Sequence, residues 1–502
     1  MLAPVNVSLD SLNLVTLAPM LIPILGALLI LIVEVSKANL HKTLYVMLSL
    51  LFLALDLGAV LESAGVFAAN GTLLGVFDVM LIDGLAILAQ IIIVGASLLF
   101  IPLALTHSRF HEFSYPEFFA LFLFMISGFQ FMVASDNLIL IFVGLETASL
   151  ALYTIIAMHN RDKSFEAAVK YFTMGALSAG FFSFGAMVFY ALTGSVEINQ
   201  ISAVLSANHY ADMGYVLVGT VFMLGAIGFK VSLIPFHTWA PDVYEGSSAA
   251  MAGYMSIVPK IAAFIVAIRF FEFLIHSGVV WLEIALYASV VITMTAANMW
   301  ALVQNDVKRM LAYSSISHAG FVMAAVLIGT TQSNSALFLY WMLFAFTNLG
   351  SFSMLWISRQ KHLPEHQPSD HTYDKFAGMI KTSPMAAVVM GLFMLSLAGI
   401  PPFALFWGKI YLISSAVTAG YTILALIMAL NSAIAAYYYL KLIVYMFMKE
   451  PVMGNDGQVY ISNSTISLQV IIGIASIGTI FAIIALNPIL EFITSFVYNS
   501  GY

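Results

Sequence analysis

There is no cysteine among the 502 residues. Disulfides, thiolate metal sites and thiolate-held iron–sulfur clusters are therefore excluded, and a redox centre of that kind has to sit in another polypeptide. Charge is scarce too: Asp, Glu, Lys and Arg make up 9% of the chain, against about 25% in a soluble domain. The formal net charge of -7 includes no basic tract, so nucleic acid binding lacks its electrostatic footprint. No nucleotide-binding motif occurs either.

What is abundant is hydrophobicity, at 62% of residues. A helix needs about 20 apolar residues to cross a hydrocarbon core about 30 Å thick, and such stretches recur along nearly the whole chain. Hydropathy predicts about fourteen spans, near 14-33, 43-62, 83-105, 116-134, 137-158, 166-193, 214-239, 248-272, 278-302, 306-330, 335-358, 383-413, 421-447 and 466-488. The first has Asp10 before it and Glu34, Lys37 and Lys42 after it, the wrong polarity for a cleaved signal peptide. Loops after odd-numbered spans hold Lys37, Lys42, Arg109, Arg161, Lys163, Lys308, Arg309, Arg359, Lys361, Lys375, Lys381 and Lys449, whereas those after even-numbered spans hold only Arg269. Basic loops face the cytoplasm, so both termini are expected on the outer side of the membrane. The longest polar loop, from Arg359 to Lys381 with HLPEHQPSDH inside it, reads as a connector.

Two spans are interrupted in corresponding ways. Span seven contains FKVSLIPFHTWAPD with Pro235 and Pro241, and span twelve contains LAGIPPFALFWGK with Pro401 and Pro402. Proline removes a backbone donor, so a break is expected at each place. Irregular backbone at membrane depth is tolerated where it is buried in protein or lines a wet cavity. The five-span separation implies a five-helix unit used twice, spans 4–8 and 9–13, inverted with respect to each other because its helix number is odd. The expected fold is thus an all-α polytopic membrane protein with helices 7 and 12 broken. Its segments are residues 1–110 (three helices), 111–272 and 273–448 (the two repeats) and 449–502 (span 14).

Charges inside the spans carry the functional argument. Lys170, Lys230, Lys260, Lys409, Lys441 and Glu146 all fall within them. Each charge near the bilayer centre costs at least about 2.5–3.5 kcal/mol, so such residues mark functional sites by default. Lys441 lies near a span end and reads as a lysine snorkelling to the interface. Lys170 either reaches the edge, pairs with Glu166 one turn earlier, or joins a proton pathway. Glu146, Lys230, Lys260 and Lys409 have no such escape; fixed ion pairs are the alternative, but one carboxylate cannot neutralise three lysines. Burial favours the neutral lysine and a neighbouring carboxylate favours the charged one, so making and breaking a Glu146–Lys230 pair can load and release a proton. Working against about 150–200 mV takes about 3.5–4.6 kcal/mol, or roughly a thousandfold change in proton affinity. His237, beside the first break, and His318, in YSSISHAGF, are placed to bridge gaps between lysines, or to serve as helix-to-helix hydrogen bonders. Neither has a second histidine at ligand spacing in its span, so metal and haem ligation are not expected.

At these residues the chain resembles the antiporter-like membrane subunits of respiratory complex I over nearly its full length. The resemblance rests on EAAVKYFTMGALSAG around Lys170, GFKVSLIPFHTWAPDVYEG around Lys230, Gln304 to Phe321, and AGIPPFALFWGKIYL around Lys409. It implies a proton channel at Glu146, Lys230, Lys260 and Lys409, and fourteen helices with inverted repeats. It also implies neighbouring membrane subunits and a peripheral arm as partners, with lipid around them. Quinone, flavin and iron–sulfur clusters would belong to other subunits, with no cofactor in this chain. Within the family, Lys409 fits the member with lysine rather than glutamate there, and the dozen residues after span fourteen leave no room for a long lateral helix. Mrp-type cation/proton antiporters share the fold and are the second reading; a purely structural membrane subunit is the third. Departures are Ser247, Ser248, Ala249 and Ala250, where the family often has prolines and threonine, and Leu405 in place of a common glycine.

Overall fold

The computed structural model describes residues 13–36, 41–76, 79–106, 111–208, 213–356, 358–359, 371–451, 461–462 and 465–501. Asp10, Lys37, Arg109, Lys361 and nearly all of the HLPEHQPSDH connector lie outside the described residues.

The chain is helical throughout. The N-terminal segment holds α1 (Ala18–Val35), α2 (Lys42–Asn70) and α3 (Gly84–Phe100), with a small antiparallel hairpin, β1 (Leu73–Gly75) and β2 (Met80–Ile82), between the last two. Next come α4 (Pro116–Val133), α5 (Leu138–Ala157), α6 (Asp162–Thr193), the short connector helix α7 (Ile198–Ala207), α8 (Met213–Val231), α9 (Trp239–Gly246), α10 (Ala249–Met255) and α11 (Val258–His276). The second half contains α12 (Val280–Leu302), α13 (Val307–Ile328), α14 (Thr331–Met354), α15 (Met379–Thr382), α16 (Pro384–Ala398), α17 (Ala404–Thr418), α18 (Thr422–Met448), α19 (Ile466–Phe481) and α20 (Leu486–Asn499). Strand β3 (Ser358–Arg359) pairs antiparallel with β4 (Ile461–Ser462).

Among the described residues, eleven helices are long and apolar enough to cross a membrane, and the bent pair α19–α20 makes a twelfth candidate. The other two expected spans fall short for identifiable reasons. Helix α11 carries three charges, Lys260, Arg269 and Glu272, and the break between α16 and α17 leaves each piece short. Helices α13 and α14 are almost wholly buried, while α6 and α18 turn Val169, Phe172, Leu177, Ile423, Leu426 and Leu430 outward. Apolar side chains on an outer surface are what a lipid solvent calls for.

Several ends are set by local chemistry. Asn137 caps α5 by accepting from the Ile139 and Leu140 amides, Asp306 caps α13 through the Arg309 amide, and Thr330 with Ser333 forms a capping box on α14. Helices α6, α13 and α16 end at Gly194, Gly329 and Gly399, each with positive φ. Helices α4 and α5 touch backbone to backbone: a Cβ on Gly128 would lie 2.7 Å from Gly144 O, and one on Gly144 only 2.6 Å from Gly128 O.

The structure corrects five expectations. Span seven breaks at residues 232–238, around Pro235, but Pro241 sits in the first turn of α9, where no amide donor is required of it, and breaks nothing. Span eight has an unexpected break between α10 and α11, where Pro259 cannot donate back to Met255; Ser248, one of the departures, caps α10 through the Met251 amide. Residues after Thr193 form α7 rather than a plain loop. Span fourteen stops at Phe481, and the chain turns by 89° into α20, whose Ser500 hydroxyl accepts from the Gly84 amide at 2.7 Å. Finally, Arg269 is no loop residue. It lies in α11 with its side chain fully buried, forked onto both carboxylate oxygens of Asp83 at 2.8 Å, because Asp83 at the N-cap of α3 supplies the compensating charge within the protein.

Candidate functional site

The interior charges sit where helices stop or start. Helix α8 ends at Val231 because Ser232 takes φ 63° and Pro235 follows, which leaves Lys230 in the last turn, only 5% exposed. That position favours a cation, since carbonyls without amide partners gather there. Its ammonium donates to Ser149 Oγ at 2.5 Å, and Ser149 in turn donates to Leu145 O one turn back on α5. The expected direct pair with Glu146 is not made. Ser149, one turn beyond Glu146, intercepts the ammonium, and Glu146 Oε1 is buried with no hydrogen-bond partner.

Lys260 is the third residue of α11, an end of the helix that repels cations. It is held there by α13: its ammonium donates to Ser315 O at 2.9 Å and Ser315 Oγ at 2.8 Å, with the Tyr244 ring centroid 5.9 Å away. Lys409 on α17 reaches back across the second break to Leu397 O and Ala398 O, both at 3.0 Å, and so caps the carbonyl end of α16. Pro401 and Pro402 lie in this break, as expected, and Leu405 is fully buried beside it.

His318 on α13, the helix that holds Lys260, is fixed from both sides of its ring. Nδ1 faces the Tyr340 hydroxyl at 2.5 Å, and Nε2 faces the Tyr439 hydroxyl at 3.0 Å. Tyr439 also bonds Ser314, the neighbour of the residue that holds Lys260. At the other end, the Tyr340 backbone abuts Gly408, next to Lys409: a Cβ there would come within 3.0 Å of Tyr340 Cα. Lys260, Ser315–Ser314, Tyr439, His318 and Tyr340 therefore form one polar succession through a buried interior, and the Tyr340 backbone packs beside Gly408, next to Lys409.

Lys170 stands apart. It is part-exposed and pairs with Glu166 at 2.7 Å and Asp242 at 3.0 Å, so the pairing reading holds with a second partner added. Together with Lys163 and Glu245 it lines an open cavity of about 160 Å³, and Arg309 bonds both Asp242 and Glu245 from beside it. Burial pushes the Asp242 and Glu245 carboxyls up, but their basic partners outweigh it and hold both below the usual carboxylate range. His237 does not face a lysine: it stacks on Trp300, centroids 4.9 Å apart and planes 7° from parallel, with Nδ1 buried and unbonded. Lys441 places its ammonium 4.4 Å from the Tyr373 ring centroid, near its helix end.

Reading the sequence missed Ser149, Ser315, Tyr244, Tyr340 and Tyr439, because a buried hydroxyl leaves no periodic signature. It also passed over Asp56, in the middle of α2, although an acidic residue inside FLALDLGAV is a visible signal.

Comparison with known proteins identifies the family. Residues 135–435 match the family described as NADH:quinone oxidoreductase/Mrp antiporter, TM. The NADH-quinone oxidoreductase subunit N of Sulfurimonas denitrificans is 79% identical over 502 residues, covering 100% of both chains. A chain of respiratory complex I from Thermus thermophilus, solved with bound aureothin, superposes with a TM-score of 0.76 at 27% identity, over 94% of this chain and 98% of that one. A chain of the Mrp complex from a Dietzia species gives 0.83 at 19% identity, over 97% of each, which shows a shared fold alone. With half the chain matched by the family and full-length identity far above the level that marks a relative, this chain belongs to the subunit N family of the NADH-quinone oxidoreductases.

Proposed function

We propose that this chain is a proton-translocating membrane subunit of a multi-subunit NADH-quinone oxidoreductase, with Glu146, Lys230, Lys260 and Lys409 as its proton relay. The observation that carries the reading is that three buried lysines are held by hydroxyl and carbonyl oxygens rather than by carboxylates. Such partners accept from an ammonium without fixing its charge as a permanent ion pair would. Each lysine is therefore stable as a cation yet free to give up its proton when a neighbouring charge moves.

In this scheme Glu146 on α5 and Lys230 on α8 are the coupling pair, with the ammonium resting on Ser149, one turn from Glu146. Closing that pair stabilises charge on Lys230, and the repulsion passed inward favours loss of the Lys260 proton. Tyr439, His318 and Tyr340 carry it, an imidazole accepting on one nitrogen while donating from the other. Lys409 receives it and exchanges it with the outer side. Redox groups and quinone belong to other subunits, and neighbouring membrane subunits cover part of the apolar surface. We read α11 and the pair α16–α17 as spans, which makes fourteen crossings, ten of them in two five-helix repeats, residues 111–272 and 273–448, and puts both termini on the periplasmic side of the inner membrane.

The test is Lys260→Ala in the assembled complex, with proton uptake into vesicles followed alongside quinone reduction. Loss of pumping per electron pair is expected. Pumping and coupling that stay intact would remove Lys260 from the relay. A sodium requirement without quinone reductase activity would favour the antiporter reading instead.

A further inference from the structure

Asp56 lies at the midpoint of α2, fully buried, and so does its partner Gln130 near the end of α4. Gln130 Nε2 donates to Asp56 Oδ2 at 2.5 Å. The other two polar atoms, Asp56 Oδ1 and Gln130 Oε1, are buried without a partner. Both are oxygens. With an ionised carboxylate both are pure acceptors, so nothing present can satisfy either of them.

Among the described residues no cation bonds either side chain. The titratable groups on the elements packed along α2 are Glu34 on α1, Lys42, Tyr45 and Glu62 on α2 itself, and Glu117 on α4; α3 and the turn at 101–105 have none, and Arg269 of α11, which packs on α4, is engaged by Asp83 and Val133 O. Lys42 is 14 residues from Asp56, about 21 Å along the helix. An isolated carboxylate in such surroundings is strongly disfavoured. One hydrogen atom resolves both the unbonded oxygens and the charge.

We propose that Asp56 and Gln130 form a proton-binding site separate from the lysine relay. Asp56 carries one proton on Oδ1 and donates it to Gln130 Oε1, while Oδ2 accepts from Gln130 Nε2, closing a two-bond acid–amide ring between α2 and α4. The proton is the ligand. Its loss leaves a bare charge between two helices, so it leaves only when α2 and α4 part far enough to admit water. The site is a proton-held clasp between the N-terminal three helices and the first helix of the next segment. Gln90 on α3, which packs on both helices, is also fully buried with neither amide atom bonded, so a further polar group lies in the same three-helix layer.

The experiment is infrared spectroscopy of the assembled, membrane-reconstituted complex at neutral pH, comparing wild type with Asp56→Asn and Gln130→Leu. The C=O stretching band of one protonated carboxyl should disappear in Asp56→Asn with assembly retained, because asparagine offers the same donor and acceptor to Gln130. In Gln130→Leu that band should persist at a shifted frequency, since its hydrogen-bond partner is gone. A protonated-carboxyl C=O region left unchanged in Asp56→Asn overturns the proposal, because the carboxyl was then ionised. An Asp56→Asn chain that fails to assemble overturns it as well, since a mimic of the protonated form must fit, and an unshifted band in Gln130→Leu excludes the amide as partner.

Discussion

The ammonium of Lys230 on α8 rests 2.5 Å from Ser149 Oγ on α5 and makes no ion pair with Glu146, three residues before Ser149. The proposed coupling pair is thus held open by a neutral acceptor. A hydrogen bond to a charged group contributes about 1.5–3 kcal/mol, or roughly ten- to hundredfold in an equilibrium. Ser149→Ala should therefore change the proton affinity of Lys230 by about that factor. The expected outcome is fewer protons taken up per electron pair, read with a pH-sensitive dye in proteoliposomes, at a quinone reduction rate close to wild type.

Gly399 is the hinge on which Lys409 turns back. Its φ is 79°, and a Cβ there would sit 2.7 Å from Lys409 Cδ and 3.0 Å from its Nζ. Gly399→Ala combines a backbone cost of about 1–2 kcal/mol with eviction of the ammonium from the two carbonyls it caps. The variant should assemble and pump poorly, and Lys409→Ala in the same background should add little further loss of pumping.

Arg269 and Asp83 form a buried fork joining α11 to the start of α3. Removing one partner of a buried pair costs about 3–5 kcal/mol, because the other charge is stranded. Arg269→Met should lower the thermal stability of the purified complex clearly, and Arg269→Met with Asp83→Asn should recover part of the loss. Equal damage from single and double variants would mean that the packing of the arginine stem, not the charge, matters.

Glu112, in the turn before α4, is buried and 2.6 Å from His159 Nδ1. Burial pushes its carboxyl up, but the hydrogen bond and charge of His159 outweigh it and leave it below the ordinary value. A folded pKa below the unfolded one, about 4.3, gives stability that is present above that pH and lost as pH falls through the folded value. Melting temperatures taken down through about pH 5 to 3 should fall more steeply for wild type than for Glu112→Gln.

The lysine positions were legible in the sequence because a charge in a 20-residue apolar run stands out whatever surrounds it. The breaks at Pro235 and Pro401–Pro402 were legible for an equally local reason, the missing amide. Pro241 misled because the same missing donor is harmless in a first turn, and only the position where α9 begins decides which applies. The partners were not legible. Ser149, Ser315 and Tyr439 are ordinary residues on their own helices and gain a role only from which helix faces them. Arg269 looked like a loop charge because its counter-charge, Asp83, is 186 residues away. The turn into α20 escaped notice because its apolar residues continue the hydropathy of α19, and direction is not part of composition.

The Gly128–Gly144 contact has a mechanical meaning. Where two backbones meet with no room for a methyl group, neither helix can slide or tilt without collision, so α4 and α5 behave as a fixed anvil carrying Glu146 two residues beyond the contact. In the proposed relay, closing the gap to Lys230 then falls to the facing side, the lysine side chain and the end of α8 beside the unwound residues 232–238.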